Sequence, residues 1–311
     1  MLINRPKGSS KMFGNIQITY TGYRNNCGPN STPTQATYTV YANTYFAKTQ
    51  LDADAMAQAD INLNAQAYIN VNATCTPWKL YEVRPFSGAG TYNWQAPGVS
   101  LLDAVFLVGG GGGGGAEFGG GGGYTKTFRN IPITPGQFIQ IIIGSGGDGM
   151  YDDASINPGQ DGGFSQFMNS NYRAEGGIGG KFNGSGNTGN GGSGGGGRLW
   201  NIHGVSDGNN SNNTHPQQAG KGQGSTTRDF GELSGSLNAG GGGGSDHNVG
   251  EGYGGQGQLA GSGENGVADY SSSYNYTFGY GGGGYGGGGG ASLVQGGKGG
   301  DGTCLVRYYG P

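Results

Sequence analysis

Seven consecutive glycines, Gly109 to Gly115, and five more, Gly119 to Gly123, stand between VFLV and YTKTF, two segments that read as buried strands. A glycine tract is ordinarily a slack linker, yet both flanks belong in one packed body. Similar runs recur at Gly194 to Gly197, Gly240 to Gly244, Gly281 to Gly284 and Gly286 to Gly290. Collagen is excluded, because these runs are contiguous and the chain has only 11 prolines. With 76 glycines in 311 residues and 32% hydrophobic residues, an ordinary core serves only part of the length. Something other than side-chain burial must order the rest. Polyglycine can order as an extended helix of three residues per turn whose peptide groups all point outward. Those groups must then be satisfied by neighbouring helices, since a buried unpaired one costs about 1 to 3 kcal/mol. The absence of Cβ atoms lets such helices approach closely. Several runs of similar length are what a stacked array needs, so the expectation is packed polyglycine II helices.

Ahead of the glycine, NIQITYTGYRNNC and QATYTVYANTYFA alternate apolar and polar residues and read as strands. TQLDADAMAQADINLNAQAYINVNATC reads as a helix with Thr49 as N-cap, Asp52 and Asp54 at the positive end of its dipole, and Ala53, Ala57, Ile61, Ala65 and Tyr68 along one face. Cys27 and Cys75 bracket this module. They either close it as a disulfide, worth about 3 to 4 kcal/mol in loop entropy, or are two unrelated buried thiols. Cys304 reads as a small hydrophobe in a terminal strand. The expected organisation is an anchoring segment at 1–12, a small α+β domain at 13–78 and a glycine-rich domain at 79–311, mainly β and sandwich-like. In the last, GTYNWQAP, LLDAVFLV, YTKTFRNIPI, GQFIQIIIG, GGFSQFMN and TCLVRYYG are the strands. The final strand brings the chain back after a long glycine-rich excursion, which is the layout of a display device.

A search for chemistry is unproductive. GxGxxG matches carry no weight at this glycine content, and GGKGGDGT supplies neither a P-loop nor tandem calcium-binding repeats. His203, His215 and His247 lie in polar loops without metal-ligand or triad spacing, and Asp148, Asp152 and Asp153 read as an acidic surface loop. No enzyme, cofactor or metal is expected. The net charge of −3, without a basic cluster, argues against nucleic acid. The longest apolar stretch, VSLLDAVFLV, is too short to cross a bilayer, and the start lacks a signal-peptide pattern.

Two segments break the glycine, RLWNIHGVSDGNNSNNTHPQQ (Arg198 to Gln218) and VADYSSSYNYTFGYGGGGYGG (Val267 to Gly287). They gather Trp, His, Tyr, Ser and Asn, the composition of binding loops, in which rings give rigid contact area and small polar side chains adapt hydrogen bonds. Trp200, Asn201, His203, His215, Tyr270, Tyr274, Tyr276 and Phe278 are therefore the candidate receptor-binding residues. Tyr280 and Tyr285 fit equally well as caps on glycine helices.

YTVYANTYFAKTQLDADAMAQADINLNAQAYINVNATC resembles a small domain of unknown function found in surface and phage proteins of Bacteroidota, with Ile69 where alanine is usual. FSGAGTYNWQAPGVSLLDAVFLVGGGGGGG with YTKTFRNIPITPGQFIQIIIGSGG resembles the glycine-rich domain of phage tail-fibre proteins, similar in kind to polyglycine-sandwich adhesins at fibre tips. The resemblance implies a virion receptor-binding protein at a fibre tip or vertex spike, made in the host cytoplasm and exposed on the virion surface after lysis. Its partners would be a host glycan or outer-membrane protein and other virion proteins, in a homo-oligomer, a trimer favoured. Attachment is expected in Arg198 to Gln218 and Val267 to Tyr280 and not in the glycine body or the N-terminal module. A structural virion or surface connector without receptor binding is the alternative.

Overall fold

In the computed structural model, the described residues are 11–86, 88–115, 118–150, 158–181, 191–192, 195, 202–204, 210–212, 227–236, 238–239, 242, 285–290 and 295–311. They fall into two units, Met1–Leu80 with Tyr309–Pro311, and Tyr81–Tyr308.

The first unit is built on helix α1, Gln50–Asn72. Thr49 is extended, and its hydroxyl accepts the Asp52 N–H at 3.1 Å while donating to the Asp52 carboxylate at 2.7 Å. That satisfies one of the orphan donors of the first turn. The buried ridge is Ala53, Ala57, Ile61, Ala65 and Ile69, a strict i, i+4 row. Tyr68, expected on this face, is instead 41% exposed, because the row that continues from Ala65 reaches Ile69. Tyr68 turns its ring against that of Tyr38, 5.2 Å between centroids. Three alanines in the ridge let the helix lie close on a hairpin of β2 (Ile18–Tyr23) and β4 (Gln35–Val40), paired from Ile18 opposite Val40 to Tyr23 opposite Gln35. Two short pairs frame it: β1 (Phe13–Gly14) with β5 (Phe46–Ala47), and β3 (Ser31–Pro33) with β6 (Cys75–Pro77). Cys27 and Cys75 are joined by a disulfide with a Cα separation of 5.7 Å.

The second unit contains two four-stranded sheets. In the first the order is β10 (Thr125–Pro132), β9 (Leu101–Val108), β16 (Thr303–Gly310) and β7 (Lys79–Val83). In the second it is β13 (Arg173–Ala174), β12 (Ser165–Phe167), β11 (Phe138–Ile143) and β8 (Gly90–Gln95). The sheets face each other: Phe128 packs edge-on against Tyr172 at 5.3 Å, and the Ser165 hydroxyl donates to the Val108 carbonyl. Strand β9 is apolar from Ala104 to Val108, where both of its faces are covered. On the outer face Ala104, Phe106 and Val108 pack with Leu305 beneath Phe230 and Ala239, residues of a returning segment that carries the 3-10 turn Asp229–Gly231. The chain is thus mainly β, with an α+β N-terminal module. The backbone of 202–204 and 210–212 forms a further pair, β14 (Ile202–Gly204) with β15 (Asn210–Asn212).

The sandwich strands share one feature that positions everything beyond them. Glycine-rich chain follows β9, β11 and β13 and precedes β10, β12 and β16, always at the same end of the sheets.

Candidate functional site

That glycine-rich chain forms a sheaf of straight rods, seven among the described residues: rod 1 (109–115), rod 2 (118–124), rod 3 (144–150), rod 4 (158–163), rod 5 (175–180), rod 6 (286–290) and rod 7 (295–302). Rod 1 shows the rule. Its successive N–H groups, from Gly109 to Gly115, donate to Tyr124, Gly163, Gly300, Gly121, Gln160, Gly297 and Phe118. The recipients are rods 2, 4, 7, 2, 4, 7 and 2, so the direction of donation repeats every third residue, the turn of a polyglycine II helix. Partner numbers fall by three at each return, so these rods run antiparallel to rod 1. Its carbonyls from Gly110 to Gly114 accept from Gly177, Gly147, Gly289, Gly180 and Met150, on rods 5, 3, 6, 5 and 3. Here the numbers rise together, so these rods run parallel.

The six rods close a hexagon around rod 1 in the order 2, 5, 4, 3, 7, 6. Each adjacent pair is hydrogen-bonded, for example Gly121 to Ile178, Gly162 to Gly177, Gln160 to Asp148, Gly299 to Gly147, Gly300 to Gly287 and Gly120 to Gly289. In each of these bonds the antiparallel rod donates and the parallel rod accepts; the Gly286 N–H, which donates to Asp301 of rod 7, runs the other way. Rod 1 is therefore a chain in which backbone alone fills the interior, with Gly109 to Gly115 all buried. The cost of ordering glycine, on the order of 1 to 2 kcal/mol per residue, is offset by this closed set of bonds.

Glycine is required here by space and not by dihedral angle. Among the described rod glycines only Gly286 has positive φ, 68°. A Cβ on Gly110 would collide with the Ser145 carbonyl, on Gly112 with that of Ile178, and on Gly113 with that of Asp148. All are backbone atoms of neighbouring rods, with no flexible side chain to move aside. Rod 2 is enclosed further by Gly192 and Gly242, which donate to Gly122 and Gly120.

In rods 5 and 7 side chains recur at every third position, where the turn points away from rod 1. Rod 5 reads Glu175-Gly-Gly-Ile178-Gly-Gly-Lys181 with its next residue, and rod 7 reads Gln295-Gly-Gly-Lys298-Gly-Gly-Asp301. Side chains of neighbouring rods pair across the surface, Lys181 with Asp161 and Lys298 with Asp148, both at 3.4 Å. Asp148 is thus an ion-pair partner. The Asp301 carboxylate accepts the N–H of Gly146 and of Ala89 and so closes the sheaf where it meets the sheets. GGKGGDGT is a perimeter rod, and its glycines are the positions that face inward.

At the sandwich, Arg307 is the charged group that the sequence pattern did not single out. Its guanidinium reaches Asp103 at 2.8 Å, Glu232 at 2.7 Å and Glu82 at 3.3 Å, and it stacks on the Phe230 ring at 4.4 Å. The hydrogen bond from Arg307 holds the Glu232 carboxyl below the usual carboxylate range. The signal available was an arginine in the middle of an otherwise buried strand, TCLVRYYG. Cys304 in that strand is buried and free, and burial pushes its thiol pKa up, away from reactivity. Among the described residues there is no group of three or more His, Cys, Asp or Glu that could hold a metal, and no helix long and apolar enough to cross a membrane.

Of the candidate receptor-binding residues, His203 is described in backbone only, within β14. Trp200, Asn201, His215, Tyr270, Tyr274, Tyr276 and Phe278 lie outside the described residues, as do Tyr280, His247, Asp152 and Asp153. Residue 195 sits beside Gly119, at the end of rod 2 away from the sandwich, and Gly242 bonds to rod 2 at Gly120. Tyr285 opens rod 6 with the Arg84 guanidinium over its ring at 4.1 Å.

Two family models match the chain. Residues 13–76 match a family of unknown function (DUF5977), and residues 86–309 match a family described as glycine-rich domain. The second covers more than half of the sequence, and the chain belongs to that family. No curated protein matches it.

Proposed function

We propose that this member of the glycine-rich domain family is a virion receptor-binding protein, carried at a fibre tip or vertex spike. The observation that carries the reading is the closed hexagon around rod 1, in which the described peptide groups are consumed by one another. Such a body offers a ligand almost nothing to recognise, and it is stiff, because every rod is bonded to neighbours on several sides. Its use is to hold something else in place. The connections from rod 1 to rod 2, from rod 3 to rod 4 and from rod 6 to rod 7 all join rod ends remote from the sandwich. In the sequence, the aromatic and Asn/Ser-rich segments follow Gly195 and Gly242, which both abut rod 2. Resemblance to phage fibre-tip adhesins supports this layout, with a host glycan or outer-membrane protein as the receptor.

The test is adsorption. Purified chain should bind host cells and compete with the virus for them, and loop variants should lose both properties. A chain that folds, enters the particle and binds no cell belongs to the structural connector class instead.

A further inference from the structure

The face of the β2–β4 hairpin turned away from α1 has a composition unlike the rest of the first unit. Ile18, Tyr38 and Val40 face the helix, so alternation turns Thr19, Thr21 and Tyr23 outward on one strand and Gln35, Thr37 and Thr39 outward on the other. Register places Thr19 opposite Thr39, Thr21 opposite Thr37 and Tyr23 opposite Gln35. Tyr41, one residue past β4 and on the same parity, stands at the opposite corner from Tyr23. The two tyrosines are 68% and 60% exposed.

We infer that this face is a binding platform for an uncharged glycan, a site separate from the loop segments and independent of the attachment reading. Charge selects the occupant. No charged residue stands in these rows, so a polyanion finds none of the Lys or Arg it needs. The centre is a square of threonines and not the apolar core of a protein interface. What remains is two rings and an ordered set of neutral donors and acceptors, which matches a chain of sugar hydroxyls with apolar ring faces. The platform is fixed before any ligand arrives. Threonine is stiff at χ1, the Thr21 and Thr37 hydroxyls are already bonded at 2.7 Å, and the hairpin is backed by α1. Successive rows are roughly 6.7 Å apart, so the tyrosines lie on the order of 20 Å from each other and suit an extended oligosaccharide.

The experiment titrates the full chain with cellohexaose, maltohexaose, xylohexaose and, as a charged control, an oligogalacturonate, read by calorimetry and ligand-observed NMR. The expected result is binding of at least one neutral sugar, weakened at least about tenfold in Tyr23→Ala/Tyr41→Ala, equivalent to about 1.4 kcal/mol. Lys298→Ala, on the perimeter of the sheaf, should leave it unchanged. If the double variant loses its helical signal, Thr37→Val, which keeps shape and removes a hydroxyl, takes its place. The inference is overturned if no neutral sugar binds, if the variants bind as well as the parent, or if oligogalacturonate binds equally. Concentration-dependent self-association abolished by the tyrosine substitutions also overturns it, assigning the face to a second copy.

Discussion

A methyl group is the smallest perturbation the sheaf can receive, and its effect should depend wholly on where it is placed. Gly112→Ala puts a Cβ into the Ile178 carbonyl, whereas at Gly98 no atom lies within 4 Å of the added carbon. Overpacking costs roughly 1 to 3 kcal/mol where side chains can adjust; here backbone must move, so Gly112→Ala should lose at least about 3 kcal/mol or fail to fold. Gly98→Ala should stay within about 0.5 kcal/mol of the parent. Thermal melts of the two variants check this, and equal midpoints would remove the close-packed account. The same residues show what was legible. The contiguous run Gly109 to Gly115 announces the central rod, since only a rod surrounded on all sides must be glycine throughout. The perimeter rods announce themselves by spacing, in EGGIGGK and QGGKGGDG, and a count of runs passes over them. Their period of three is a turn of the rod, with one position in three facing solvent. No such rule fixed the seven candidate residues outside the described part.

Helix α1 shows how local chemistry decides between two readings of one pattern. From Leu51 to Val71 apolar residues occupy every second position except for Met56 and Tyr68, an alternation that by period alone reads as a strand. The Thr49 cap, the acidic first turn and the many alanines make it a helix, and the cost is visible in Leu51, Leu63 and Val71, each 79% exposed. The helix face was legible up to Ala65; Tyr68 was misplaced because a short helical window does not separate it from Ile69. Asp60 ties this element to the sheet, accepting from Asn64, Tyr45 and Tyr38 at 2.7, 2.8 and 3.0 Å. These bonds, the Asn64 amide first, hold its carboxyl below the usual range. A depressed folded pKa contributes stability above the unfolded value, about 3.9, and that contribution is lost as pH falls through the folded value. Asp60→Asn should therefore melt earlier than the parent at neutral pH, with the difference shrinking in acid. A gap that stays constant with pH, followed by the helical signal, would assign the loss to packing. Reducing the Cys27–Cys75 disulfide should lower the same transition by about 3 to 4 kcal/mol on the loop-entropy estimate, while the sheaf, which contains neither cysteine, keeps its own.

At the scale of the whole molecule the question is what a body made of backbone is for. Its rods are held by peptide groups that satisfy one another, its perimeter by ion pairs such as Lys298 with Asp148 whose half-exposed charges contribute little, and its base by the Asp301 carboxylate. On the proposed receptor-binding reading, discrimination comes from side chains outside the rods. Trp200 and Tyr274 are large rings, one in each segment, and a buried aromatic anchor is worth about 2 kcal/mol or more at an interface. Trp200→Ala or Tyr274→Ala should weaken adsorption to host cells at least roughly thirtyfold and leave the thermal transitions in place. Lys298→Ala, on the perimeter, should alter neither. The N-terminal residues before Phe13 should behave in the opposite way, their deletion reducing incorporation into the particle and leaving the free chain's cell binding intact. Particles that carry the loop variants in full number and adsorb at the parental rate would end the receptor-binding reading, because stiffness and display would then serve assembly alone.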